Sequence, residues 1–213
     1  MNELVIEKFT IGMCQTNCYY LYRQTASKIK EAVFIDPAER GEDIYRALQK
    51  KGISVKAILF THGHFDHIMG SEELKRLSGA KVYAPAGEKQ LLEDPYVNCS
   101  ADFMYSYTCE ADEYFKDGDI LELLPGIECR IIETPGHTVG SSSLYFEKDN
   151  VLFSGDTLFY ESVGRTDLPT GSMGKLIHSV RERLFALPEN CVVYPGHGPQ
   201  TDIGHEKEYN PYS

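Results

Sequence analysis

The stretch THGHFDH, residues 61 to 67, places His62, His64, Asp66 and His67 within six positions directly behind the apolar run AILF. Three later apolar runs end the same way: RIIETPG leads to His137, VLFSG to Asp156 and VVYPG to His197. A lone histidine or aspartate behind a strand is commonly a turn residue or a satisfied hydrogen bonder. Here five of the seven histidines fall at such ends, and a purely structural explanation of that distribution is poor. Imidazole and carboxylate donors without thiolate suit Zn, Fe or Mn in a catalytic site, because structural zinc is typically closed by cysteine. Seven donors are too many for one tetrahedral ion. Two divalent ions about 3.5 to 4 Å apart, sharing one carboxylate, use them economically and leave room for a water or hydroxide. Zn is the first choice, with Fe and Mn as alternatives.

The elements that must position these residues are legible as periodic segments. LVIEKFT, NCYYLYR and AVFID read as strands, followed by a helix over GEDIYRALQKKG and the strand SVKAILF. A helix is predicted over DHIMGSEELKRLSGA from the spacing of Ile68, Leu74 and Leu77 and the stop at Gly79; the strand KVYAP and a short helix over GEKQLLED come next. Residues 94–118 show no clean period and are expected to form a long functional or mobile connection, a candidate lid whose Phe103, Tyr105 and Tyr107 either cover the cleft or fill the core. DILELL, ECRIIET, SSLYFE and VLFSGD then read as strands, MGKLIHSVRERLFAL as a helix and CVVYPG as a last strand. Two groups of strands with interspersed helices predict an α/β layered sandwich, two packed sheets covered by helices. No linker, repeat or low-complexity tract divides residues 1–213, which are expected to form one domain.

Composition narrows the function classes. A formal charge of −11 works against phosphate backbones and makes nucleic acid an unexpected partner. No apolar stretch approaches a membrane span, and MNELVIEKFT lacks a signal-peptide pattern, so a cytoplasmic protein without membrane contact is expected. Six cysteines with no C-x-x-C pair are expected to be thiols rather than a disulfide framework. His178, in a helical pattern, and His205, near the chain end, receive no role. Oligomeric state is left open.

THGHFDH followed by PGHT, SGDTLF and YPGHG resembles the metallo-β-lactamase superfamily, specifically its glyoxalase II-like branch, in motif order from TNCYYL to IGHEKEYNP. The resemblance implies a four-layer αββα sandwich. It also implies that His62, His64 and His137 hold one metal and that Asp66, His67 and His197 hold the second, with Asp156 bridging. GRTDLPTGS resembles the corresponding loop of small single-domain glyoxalase II-like hydrolases and also that of persulfide dioxygenases. Within it Arg165 and Asp167 are expected either to brace the loop beside Asp156 or to form a surface ion pair.

A hydroxide held between two cations is nucleophilic at neutral pH and would attack a polarised acyl carbon, with Asp66 orienting it. Thioesters suit this chemistry because the thiolate leaves readily. The expected activity is therefore hydrolysis of a small thioester such as S-lactoylglutathione, with another ester or acyl substrate as an alternative. Sixteen residues follow His197, so the helical domain with which full-length glyoxalase II binds glutathione is expected to be absent. The main rival is a mononuclear iron persulfide dioxygenase; the presence of Asp66, His67 and His197 favours hydrolysis. A β-lactamase is disfavoured by the missing signal peptide, a nuclease by length, and a diiron flavoprotein by His64 at the position where that branch carries Glu. A non-enzymatic metal-binding protein would need the same site closed to substrate.

Overall fold

The computed structural model describes residues 3–24, 26, 29–103 and 105–213. Its first sheet runs β1 (Leu4–Ile11), β2 (Thr16–Arg23), β3 (Lys30–Ile35), β4 (Ile53–Leu59), β5 (Lys81–Pro85) and β6 (Glu113–Phe115), adjacent in that order. β1 to β3 pair antiparallel, whereas β3 to β6 pair parallel. Parallel neighbours need crossovers. α1 (Gly41–Lys50) provides one between β3 and β4, and α2 (Phe65–Ile68) with α3 (Ser71–Ser78) provides the next.

The second sheet contains β7 (Ile120–Leu124), β8 (Ile127–Glu133), β9 (Ser142–Phe146), β10 (Val151–Gly155), β13 (Val192–Pro195) and β14 (Thr201–Asp202), in the spatial order 14-13-10-9-8-7. β11 (Leu158–Phe159) and β12 (Ser162–Val163) form a separate small hairpin. α4 (Lys89–Glu93) follows β5, α5 (Met173–His178) continues into a wider π-helical turn over Ser179–Leu184, and α6 (Ile203–Tyr209) follows β14.

Strand alternation explains the layering, since successive side chains point to opposite faces. In β2, Tyr19 and Leu21 enter the core between the sheets, against Ile131, Leu144 and Phe153. Their neighbours Cys18, Tyr20 and Tyr22 face the helices, with Ile44, Leu48 and Leu74. In the second sheet Leu152 and Tyr145 turn outward onto Leu176, Val180, Leu184 and Ile203. Helices, two sheets and helices thus stack as an αββα sandwich, as the resemblance implied. Among the described residues no helix is long and apolar enough to cross a membrane.

Several expectations need correction. The helix predicted over residues 66–80 is two, α2 and α3. The Gly70 N–H leaves the helix to donate to the Ala38 carbonyl at 2.5 Å, and a Cβ at Gly70 would meet the Pro37 carbonyl at 2.4 Å. The 94–118 connection contains β6, an edge strand too short to show a period. Around it, Ser100 Oγ accepts from the Tyr107 N–H at 2.9 Å and the Asn98 amide donates to the Tyr107 carbonyl at 2.9 Å, so the segment has its own hydrogen-bonded frame. Met104 lies outside the described residues. The tail forms α6, whose first turn is capped by Asp202 accepting from the His205 N–H at 2.8 Å.

Candidate metal centre

The C-terminal ends of β4, β8, β10 and β13 carry the donor residues. Parallel pairing of β10 with β13 sets Asp156 beside His197, with the Gly196 N–H donating to the Gly155 carbonyl at 2.9 Å. Gly196 must lack a side chain, since a Cβ there would lie 2.1 Å from Asp156 Oδ1 and 2.8 Å from the His67 ring. The two sheets are laced together at this end. Asn17 donates from its side chain to the Pro195 and Gly198 carbonyls at 3.0 and 2.9 Å, Tyr19 Oη donates to Pro195 at 2.8 Å, and the Ser142 N–H donates to Thr61 at 2.9 Å.

All seven predicted donors come together. One ligand atom each from His62, His64 and His137 lies within 4.8 Å of the other two, and so it is for Asp66, His67 and His197. His64 Nδ1 and His137 Nε2 are 2.8 Å apart. Asp156 stands between the groups: Oδ2 is 3.5 Å from His137 Nε2 and 3.4 Å from His197 Nε2, and Oδ1 is 3.4 Å from His67 Nε2. Nε2 of His62, His64 and His67 and Oδ1 of Asp156 are buried without a hydrogen-bond partner among the described residues. Leaving such groups unpaired is costly. A divalent cation would satisfy those that face one another, such as His67 Nε2 and Asp156 Oδ1, while His64 turns Nδ1 toward His137, and the imidazole and carboxylate donor set fits one.

The outward-facing atoms are held. His67 Nδ1 pairs with Asp36 Oδ2 at 2.9 Å, His137 Nδ1 with the Arg165 carbonyl at 2.8 Å, and His197 Nδ1 with the Cys14 carbonyl at 3.0 Å. Thr61 Oγ1 lies 3.1 Å from His62 Nδ1 and donates to Asp36 at 2.7 Å; Thr16 Oγ1 donates to Asp66 Oδ2 at 2.9 Å. Such partners fix ring orientation and raise ligand basicity. Asp36, Thr61, Thr16 and Glu88 were missed by sequence reasoning. Asp36 carried a usable signal, because AVFID runs into an acid as VLFSGD does; Glu88, inside a charged segment, carried none.

Charge divides the two groups. Burial and the neighbouring His137 drive His64 down to about 3, and burial with the nearby His67 holds His62 well below the usual histidine range. Burial opposes ionisation of Asp66, but His67 and the His197 hydrogen bond outweigh it and hold the carboxyl at about 2. His197 shows the complement: burial lowers it, while hydrogen bonds to Asp156 and Asp66 raise it to about 10. His62 and His64 are therefore neutral imidazoles, whereas the other group mixes imidazole with carboxylate. Glu88 is also displaced, pushed up to about 7 by burial against the hydrogen bonds it accepts.

A cleft of about 510 Å³ opens beside the centre, lined by Phe65, Phe103, Phe159, Val163 and Leu168 with Asp66, Asp156 and His197. Phe103 stacks on Phe65 with ring centroids 4.6 Å apart. Tyr105 lines a smaller adjoining cavity with Met13, Cys14 and Asp66. Tyr107 does not cover the cleft, because its hydroxyl lies 3.1 Å from Ser71 Oγ and its ring packs on the helix-side core. Arg165 and Asp167 form an exposed ion pair with two contacts of 2.7 Å; the support that Arg165 gives His137 comes through its backbone carbonyl. His178 is exposed, and His205 sits 3.1 Å from Glu161 between Tyr160 and Tyr209, outside the cleft lining. All six cysteines are free.

The family model described as the Metallo-beta-lactamase superfamily matches residues 11–197. The chain is 37% identical to a probable metallo-hydrolase of Streptococcus pyogenes, over 92% of this chain and 84% of that protein. It is 31% identical to the hydroxyacylglutathione hydrolase GloC of Haemophilus influenzae, over 97% of each. Among solved structures it is similar to the BLEG-1 B3 metallo-beta-lactamase, with TM-score 0.90 and 37% identity over 98% of this chain and 99% of that one. It is also similar to TTHA1623 in a di-iron-bound form, with TM-score 0.84 and 30% identity over 97% and 100%.

Proposed function

The chain belongs to the metallo-beta-lactamase superfamily, and on that footing we propose that it is a binuclear metallohydrolase cleaving a small acyl thioester. The position of Asp156, within 3.5 Å of Nε2 atoms drawn from both histidine groups, carries the reading, because a carboxylate shared in this way is what two neighbouring ions require. His62, His64 and His137 are assigned to one ion, Asp66, His67 and His197 to the other, and Asp156 to both. Zn suits this donor set, and the di-iron neighbour supports iron as the alternative. Bound there, divalent ions supply a lowered water pKa and a Lewis acid for the acyl oxygen.

The chain's own residues do the rest. Asp66, whose Oδ2 faces the His67 and His197 rings and also accepts from Thr16 at 2.9 Å, would orient the attacking water by accepting a hydrogen bond. Phe65, Phe103, Phe159, Val163 and Leu168 provide an apolar wall for the acyl arm and exclude water from it. A thiolate leaving group needs little acid assistance, which suits a site whose polar groups are committed to ligation. Similarity to GloC supports a thioester, and similarity to BLEG-1 supports β-lactam hydrolysis as a second reading. Small molecules rather than nucleic acid fit a chain of net charge −11, and six free thiols fit the cytoplasm.

The test combines metal stoichiometry with three assays on one preparation: a thioester panel including S-lactoylglutathione, a β-lactam, and oxygen uptake with glutathione persulfide. Two ions per chain and thioester turnover are expected, with turnover lost and fewer than two ions retained in Asp156→Ala and in His62→Ala. One iron per chain with persulfide-dependent oxygen uptake would replace the hydrolase by a dioxygenase. Turnover confined to the β-lactam would select the second reading.

A further inference from the structure

Two glutamates are fully enclosed, and they have different surroundings. Glu206 ties the tail to the β11–β12 hairpin through Thr201, Asn210 and the Glu161 N–H. Glu88 lies at the end of a short 3₁₀ turn, Ala86–Glu88, behind the metal centre. Its Oε2 accepts from the Gly63 N–H at 2.6 Å and its Oε1 from the Gly140 N–H at 2.7 Å. Gly63 sits between His62 and His64, and Gly140 closes the turn that begins at His137. One carboxylate therefore spans the two loops that supply all three members of the all-histidine group.

The contact is built. A Cβ on Gly63 would lie 2.7 Å from Leu91 Cβ, one on Gly140 would lie 2.4 Å from the Gly87 carbonyl carbon, and one on Gly87 would lie 2.8 Å from Gly140 Cα. Three glycines bring the backbones close enough for both oxygens to be used. Enclosing a carboxylate is costly unless it is well bonded, and charge-assisted bonds from backbone N–H groups offset that cost. Apolar filler of the same volume would leave both N–H groups unpaired.

We propose that Glu88 is a positioning residue that sets the spacing between the His62/His64 loop and the His137 loop, and through it the affinity of the all-histidine group for its metal. The proposal rests on the binuclear reading above. Glu88 acts through Gly63 and Gly140 and contacts no substrate. Its influence is accordingly local to one of the two metal groups, which separates it from a residue that merely holds the fold.

The test titrates metal-free protein with Co²⁺, followed by its visible bands and by competition with a chelator. Glu88→Gln keeps the volume but turns an NH₂ toward one of the two N–H donors; Glu88→Asp keeps the charge but is too short to reach both loops. Each is measured alone, in a His197→Ala background that weakens the mixed group, and in a His62→Ala background that weakens the all-histidine group. If Glu88→Gln does not fold by circular dichroism, Glu88→Asp carries the measurement. The expected result is Co²⁺ affinity lowered roughly 10- to 100-fold in the His197→Ala background, with shifted bands, and unchanged affinity in the His62→Ala background. Equal loss in both backgrounds, or no loss in the first, overturns the proposal while leaving the binuclear reading intact. Wild-type protein that takes up no Co²⁺ overturns both.

Discussion

Asp36 Oδ2 lies 2.9 Å from His67 Nδ1, and both groups are fully enclosed between the sheet and the strand ends. The same carboxylate accepts from the Thr61 N–H at 2.8 Å and the Thr61 hydroxyl at 2.7 Å, so one residue orients a histidine and the entrance to the THGHFDH turn together. Asp36→Asn would keep the shape but present an NH₂ where His67 Nδ1–H now donates, favouring the wrong tautomer. Metal affinity is expected to fall roughly 10- to 100-fold with the fold retained. Chelator competition on the variant measures it, and an unchanged constant would remove Asp36 from the site's support.

Gly196→Ala tests the closeness of β13 to the centre. Its methyl would stand 2.1 Å from Asp156 Oδ1, so either the carboxylate or the strand must move. The expected outcome is less than one bound ion pair per chain by elemental analysis, with native far-ultraviolet circular dichroism. Full metal content would show that the strand yields more easily than the geometry implies.

Asn17→Ala removes a buried amide that donates to both Pro195 and Gly198. Two carbonyls lose a donor, one of them keeping Tyr19, and a loss of about 1 to 3 kcal/mol is expected in urea unfolding. Tyr19→Phe, which leaves Asn17 on Pro195, should cost about 1 kcal/mol. The reverse order would shift the main tie between the sheets to the tyrosine.

Away from the site, the Lys51 hydrogen bond and then the Tyr20 hydroxyl lower the Glu7 carboxyl from its ordinary 4.5. A depressed acid contributes stability that is fully present above that unfolded value and is lost as pH falls through the folded one. The side chains of Lys51 and Glu7 are 48% and 38% exposed, so solvent screening keeps the contribution to a few tenths up to about 1 kcal/mol. Glu7→Gln is expected to lower stability by that amount near neutrality and to flatten the acid limb below pH 4.5. Parallel curves for the two proteins would count against the assignment.

Much of this was legible in the chain. Short runs rich in aromatic and β-branched residues, NCYYLYR, AVFID and SSLYFE, located strands because these strands are buried on both faces, and the reading held for β2, β3 and β9. The edge strand β6 and the two-residue strands β11 and β12 escaped because nothing so short establishes a period. The break at Gly70 escaped because its cause is the Pro37–Ala38 backbone more than thirty positions away.

By itself the sequence determined the donor types, their order and their places behind apolar runs, since those depend on local propensity and on chemistry carried by single side chains. Residue types and spacing left the donors ungrouped and the resemblance only implied the grouping; the tertiary structure brings His62, His64 and His137 together and Asp66, His67 and His197 together with Asp156 between them, and it alone decided that Arg165 meets His137 through its carbonyl rather than its guanidinium and that Glu88 joins two loops. Those are relations across strands brought together by sheet pairing. The physical reason is that a hydrogen bond or a shared ligand depends on distances between atoms, and chain spacing specifies those only within a turn or two of backbone.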